Sequence, residues 1–227
     1  MGRRSSGALW WIALVVAVVA VAGGGCLSLA KSGRLDRTDS LDRVVVVVFA
    51  SQAEDGAEVG QVIAVATGGG STVRLLDPRQ SATIPGTSYD KLGDAYPFGG
   101  GKAVADALAG DASARNAYVD VPEAAWIALL QARGGAVSVV LPKALAVFDG
   151  TRLVSFSEGT RTVAPVDVPA LLRGAAYLET ADRMRVVEAV GEASLSALAG
   201  AGGPAGAVRT DLTPEAYARL LGALEAR

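Results

Sequence analysis

The chain contains no histidine and a single cysteine, Cys26. The missing histidine removes Ser-His-Asp and Cys-His catalysis, imidazole metal sites and a histidine general base. One cysteine permits no intrachain disulfide and no cysteine cluster for zinc. Charge is sparse and nearly balanced, with a net of −2, so there is no electrostatic footprint for wrapping nucleic acid. Whatever chemistry the chain performs must use Arg, Lys, Asp, Glu, Ser, Thr, Tyr or a bound cation. What it has in abundance is Ala, Val and Gly. Its 227 residues are 51% hydrophobic, which suggests one domain with a real core plus an apolar appendage. The excess of Arg over Lys, with so much Ala, Val and Gly, fits a GC-rich bacterial genome.

The appendage is N-terminal. No charged residue occurs between Arg4 and Lys31, and "ALWWIALVVAVVAVAGGGCLSLA" fills Ala8 to Ala30. As a helix this run is roughly 35 Å long, enough to cross the ~30 Å hydrocarbon core of a bilayer. Trp10 and Trp11 fall where indoles prefer to lie, at an interface. The sequence therefore predicts a cytoplasmic tail over 1–7, a transmembrane helix over 8–30, a polar linker over 31–42 and an extracytoplasmic domain over 43–227. A signal-peptidase site at "AVA" (Ala20–Ala22) is the competing reading, but the apolar run continues past it. Cys26 follows "GGG" and lacks the aliphatic residue expected before a lipidated cysteine, so it reads as a small apolar residue of the helix. "MGRRSS" fits an N-myristoylation pattern that is redundant beside a spanning helix.

Beyond the linker, strands alternate with helices, so the class is α/β: a mixed central sheet flanked by helices. "RVVVVVFA" (Arg43–Ala50) suits a strand buried on both faces. "SQAEDGAEVG" reads as a polar loop. "QVIAVAT" and "STVRLLD" read as a hairpin turning at Gly68, Gly69 and Gly70. "GGGKAVADALAG" (Gly99–Gly110) opens a short helix and fails as a P-loop, with Tyr96 and Ala103 where glycine and Ser or Thr are needed. "NAYVDV" is a strand, and "PEAAWIALLQARGG" a helix with Asp120 as its cap and Glu123 three residues on. "AVSVVLP" is a further strand, with a short hairpin expected around Asp149–Gly150. "VPALLRGAAYLET", "ADRMRVVEAVGEASLSALAG" and "TPEAYARLLGALEAR" read as helices, the last capped by Thr213 with Pro214 in its first position. "AGGPAG" is a flexible break.

One stretch stands out chemically. In "DPRQSATIPGTSYDKLGDAYPFGG" (Asp77–Gly100), Pro78 fixes a turn and Arg79 stands among uncharged polar groups. A solvated loop looks like this, and so does a loop that aims a guanidinium at an anion. The order of "PRQ" (Pro78–Gln80), "KLGDAYPFGG" (Lys91–Gly100), "AYVDVPEAAWIALLQARGGAVSVVLP" (Ala117–Pro142) and "VRTDLTPEAYARLLGAL" (Val208–Leu224) resembles the LytR–CpsA–Psr family of bacterial cell-envelope proteins. The likeness covers most of residues 43–225. It implies a short cytoplasmic tail, one membrane helix and an extracytoplasmic α/β domain. It also implies transfer of a glycopolymer from a polyprenyl pyrophosphate carrier to peptidoglycan. In that family arginines hold the pyrophosphate, acids hold a divalent cation and an apolar pocket takes the lipid. Such chemistry needs charge neutralisation and positioning, for which guanidinium forks are suited.

On this resemblance Arg79 is the diphosphate-gripping arginine. Asp182 is the candidate base or cation ligand, and Arg185 the stabiliser of developing charge. Lys91 and Tyr96 join Arg79 and Arg185 as candidate ligand contacts. Mg²⁺ is the implied cofactor if the protein is active. The departures are as informative. Gln80 and Gln61 stand where the family has acids; Glu179, Ala181 and Glu188 stand where it has arginines. Three readings follow: a phosphotransferase with a modified site; a membrane-anchored protein that binds a polyprenyl (pyro)phosphate, a glycan or a wall partner with weak or no catalysis; and a purely structural interaction domain. The separation of Arg79, Lys91, Asp182 and Arg185 in space discriminates among them.

Overall fold

Five consecutive valines, Val44 to Val48, set the architecture. β-Branched side chains favour the extended backbone, and a run with no polar alternation is stable only when both faces are covered. In the computed structural model, which describes residues 43–53, 55–110, 116–201 and 207–227, this run forms β1 (Val45–Gln52), the centre of a five-stranded sheet. The others are β2 (Glu58–Thr67), β3 (Thr72–Leu76), β4 (Ala117–Val121) and β9 (Arg209–Thr210), in the order β3-β2-β1-β4-β9. β1 pairs parallel to β4 and antiparallel to β2, so the sheet is mixed. Val45, Val47 and Phe49 face one core; Val46, Val48 and Ala50 face another.

Helices cover both faces. The smaller core is closed by α1 (Gly101–Ala109) and by the 3₁₀ segment Leu92–Phe98. The larger is closed by α2 (Glu123–Ala132), α3 (Val168–Ala175), α4 (Thr180–Ala199) and α5 (Pro214–Glu225). Trp126 of α2 is wholly buried against Phe49, with ring centroids 5.5 Å apart. Its indole N–H donates to Ser194 Oγ of α4 at 2.8 Å, which links the two helices. Two small ribbons complete this side: β5 (Val137–Leu141) pairs with β8 (Gly159–Val163), and β6 (Leu145–Phe148) with β7 (Leu153–Phe156).

The α/β class, the Gly68–Gly70 turn, the hairpin around Asp149–Gly150 and the Thr213 cap are as expected; Thr213 Oγ1 accepts from the Ala216 amide at 3.2 Å. Three expectations change. The polar loop after β1 is short, because β1 runs to Gln52 and β2 begins at Glu58. β8 was not anticipated, since Gly159–Val163 carries no apolar alternation and is held only by β5. Asp120 does not cap α2: Pro122 occupies that position, and the Asp120 carboxylate turns inward to Tyr96 and Arg209. The expected transmembrane helix over 8–30 and linker over 31–42 lie outside the described residues, as does most of "AGGPAG". Among the described residues no helix is long and apolar enough to cross a membrane.

Candidate functional site

At the end of the sheet where β1 turns into β2, the pairing slips. Phe49 faces Val62 but Ala50 faces Gly60, so Gln61 is an extra residue in β2. A bulge re-aims side chains, and Gln61 here lines a cavity of about 580 Å³. That volume lies inside the range of small-molecule sites, ~300–1,000 Å³. The remaining walls come from the β1–β2 turn (Ala53, Asp55, Ala57), Val59 at the start of β2, the segment Tyr89–Phe98, Arg173 of α3 and the two residues after it, Ala176 and Tyr177. Three cations, Arg79, Lys91 and Arg173, meet two carboxylates, Asp55 and Asp94, on an otherwise apolar and aromatic surface.

Arg79 sits in the turn after β3. Asp77 builds that turn: its Oδ1 accepts the Arg79 amide at 2.9 Å, and Arg183 of α4 donates to its Oδ2 at 2.7 Å. Burial works to raise the Asp77 carboxyl, but the Arg183 hydrogen bond and the Arg79 amide and charge outweigh it, so its pKa lies below the usual value. The Arg79 guanidinium reaches across the cavity edge and donates to the Ala176 carbonyl at 2.5 Å, leaving further donors for a ligand. Arg173 is buried and donates to the Gln52 carbonyl at 2.8 Å. Lys91 lies 3.2 Å from Asp90. Burial raises the Asp94 carboxyl, partly offset by the Arg79 charge and reinforced by Asp90.

Of the residues proposed from sequence, Arg79 and Lys91 share this cavity. Tyr96 does not line it. It is 2% exposed, and its hydroxyl donates to Asp120 Oδ1 at 2.9 Å while accepting from Arg209 at 2.9 Å. Burial, reinforced by the Asp120 charge and hydrogen bond, raises its pKa. Tyr96 therefore fastens the 3₁₀ segment to β4 and β9. Asp182 and Arg185 lie in the first turns of α4, bonded to each other at 2.7 Å, and neither lines the cavity. The residues around Asp182 do not fit a divalent cation: Arg185 occupies its Oδ1, and among the described residues no three acidic side chains come together.

The sequence reading missed Asp77, Asp94, Arg173, Arg183 and Tyr177. Arg173 left a signal, since a lone arginine inside the apolar "VPALLRGAAY" must find a buried partner. Arg183 left none: its neighbours Asp182 and Arg185 look equally suitable until the helix phase is known, and only Arg183 faces Asp77.

The mixed sheet with helices on both faces is the LytR–CpsA–Psr-like fold. The LytR-Csp2A-Psr enzyme from Actinomyces oris superposes with a TM-score of 0.56 at 19% identity, covering 84% of this chain and 81% of that one. TagV of B. subtilis superposes with a TM-score of 0.52 at 12% identity, covering 82% of this chain and 80% of the other. TagT bound to LIIa-WTA gives a TM-score of 0.52 at 15% identity, covering 85% and 79%. No protein-family model matches the chain, and no curated protein sequence matches it.

Proposed function

We propose that the protein is a membrane-anchored, extracytoplasmic component of the bacterial cell envelope that binds a polyprenyl-(pyro)phosphate-linked glycan, with weak or no turnover. The observation that carries this reading is the placement of Arg79. A fixed turn, held by Asp77 and Arg183, sets its guanidinium on the edge of a largely apolar cavity that Lys91 and Arg173 also line. A guanidinium beside an apolar cavity suits a ligand with an anionic head and a hydrocarbon tail. The fold shared with TagT, whose structure holds LIIa-WTA, supports a lipid-linked wall precursor as the class of ligand.

A second reading, a Mg²⁺-dependent phosphotransferase that attaches a glycopolymer to peptidoglycan, takes its support from Asp55 and Asp94 on the same cavity. Against it stand the Asp182–Arg185 pair outside the cavity and the missing acidic cluster among the described residues.

Titration of the full chain in detergent with farnesyl pyrophosphate separates the readings. Binding is expected, and Arg79→Ala is expected to weaken it about 10- to 100-fold, the worth of one charge-assisted contact to phosphate. No phosphate release is expected with Mg²⁺ present. Release that Arg79→Ala abolishes restores the second reading, and absence of binding by the unaltered protein removes both.

A further inference from the structure

Seven large apolar side chains are exposed among the described residues, and three of them, Tyr89, Phe98 and Tyr177, line the Arg79 cavity. They are 56%, 51% and 67% exposed and come from separate parts of the chain: the loop before the 3₁₀ segment, the end of that segment, and the residue pair following α3. The Tyr89 and Phe98 rings lie against each other, with centroids 5.7 Å apart and planes tilted by 53°. The remaining four, Val140, Phe148, Leu153 and Val166, lie on β5, β6, β7 and the turn before α3, and none of them lines the cavity.

Aromatic side chains with this exposure settle at one kind of surface especially well. Tyrosine rings favour the boundary between headgroups and hydrocarbon, where an apolar body and a polar tip are both satisfied, and a phenylalanine ring beside them buries its apolar face at the headgroup–acyl boundary. Two cations stand beside them, Arg79 and Lys91; Asp90 is bonded to Lys91, and Asp55 and Asp94 also line the cavity. The cations complement lipid phosphates, whereas the apolar rings complement the layer beneath. A lipid-linked ligand adds a second reason. Its tail is driven out of water roughly in proportion to its area, so a route through solvent is unfavourable along its whole length. A mouth set into the headgroup layer removes that exposure.

We propose that the mouth of the Arg79 cavity is a bilayer-docking surface. Tyr89, Phe98 and Tyr177 enter the headgroup region of a phospholipid bilayer, Arg79 and Lys91 lie level with the lipid phosphates, and the ligand passes sideways from bilayer to cavity. The docking surface deepens the ligand reading above and rests on it for the identity of what enters.

The test uses the full chain with Cys26→Ser, carrying Phe98→Cys, Tyr177→Cys or Phe148→Cys in turn. Each variant is labelled with an environment-sensitive fluorophore and reconstituted in phosphatidylcholine–phosphatidylglycerol nanodiscs. Quenching by doxyl-labelled lipid is expected to be severalfold stronger at Phe98→Cys and Tyr177→Cys than at Phe148→Cys, with iodide quenching in the reverse order. Equal quenching by iodide at all three positions overturns the proposal. So does equal lipid quenching at all three, which places no special face on the bilayer. Protection of the mouth from both quenchers overturns it in favour of a protein covering. Farnesyl pyrophosphate binding by the unaltered chain in detergent reports separately on the ligand reading. Lipid quenching at the mouth without that binding removes the ligand and keeps the docking surface.

Discussion

Asp77 and Asp94 both feel Arg79, and their carboxyls are pushed in opposite directions. Burial is the largest influence on each, but at Asp77 the hydrogen bonds from Arg183 and the Arg79 amide and the charges of both arginines together outweigh it and the pKa falls, whereas at Asp94 burial outweighs the Arg79 charge and the pKa rises. Asp77 therefore stays ionised, and the Arg79 turn intact, at pH values where Asp94 has already taken a proton. An ionised Asp94 on the same cavity repels an anionic head; a protonated one does not. Affinity for farnesyl pyrophosphate is thus expected to rise as pH falls through the raised Asp94 pKa, down to the range where Asp77 finally protonates. A like charge at contact distance in water is worth about 1 kcal/mol, roughly fivefold in affinity. Asp94→Asn should tighten binding at neutral pH by about that factor. It should also remove the Asp94 step from the pH profile, so that the ratio of the two proteins' affinities falls toward one as pH drops through the raised Asp94 pKa, a comparison in which titration of the ligand cancels. An unchanged profile in Asp94→Asn sets aside the carboxylate's part in binding.

The wall carrying Asp94 is the 3₁₀ segment Leu92–Phe98, and its seating depends on one small residue. The Gly93 amide donates to the Pro78 carbonyl at 2.8 Å. A Cβ on Gly93 would stand 2.5 Å from the Gly60 carbonyl oxygen and 3.3 Å from that of Pro78, both backbone atoms that cannot rotate away. Gly93→Ala is expected to force the segment off β2, at a cost of about 1–3 kcal/mol in urea denaturation, and to weaken farnesyl pyrophosphate binding. Unaltered stability would show that the segment has room to shift. How far the elements were legible in the sequence follows from where their information lies. β1 and α5 were readable because their signals are local: a valine run, and a Thr213–Pro214 start. The 3₁₀ segment and the site were not. "KLGDAYPFGG" has no apolar period, and its shape comes from contacts of Gly93 with Pro78 and Gly60, 15 and 33 positions away, and of Tyr96 with Asp120, 24 positions away. The composition of its turn left Arg79 open between a solvated residue and an anion contact, and the family resemblance gave it its role. Its actual supports, Asp77 and Arg183, are 106 residues apart and become partners only through the fold.

Taken as a whole, the molecule attaches its least secured parts to its most secured strand. Val45 to Phe49 are at most 1% exposed, and β1 is hydrogen-bonded on both sides. β2 is likewise flanked, by β1 and β3. The cavity walls are different: the β1–β2 turn, a 3₁₀ segment and the residues following α3 have few ladder bonds, and their side chains are half-exposed or exposed around Asp55, Tyr89, Phe98 and Tyr177. Opening free energy follows such differences, from near zero in loops to the global value in core strands. Hydrogen exchange of the full chain is therefore expected to be slowest in β1 and β2 and fast over 55–57, 86–91 and 98–100. The β6–β7 ribbon, which pairs only with itself, should exchange early as well. Farnesyl pyrophosphate should slow exchange at 55–57, at 89–98 and at 173–177, while β6–β7 and the already slow β1 keep their rates. This pattern separates a ligand seated in the Arg79 cavity from a general stabilisation, which would slow every segment that opens globally. Protection centred on the start of α4, at Asp182 and Arg185, would move the site there and away from Arg79.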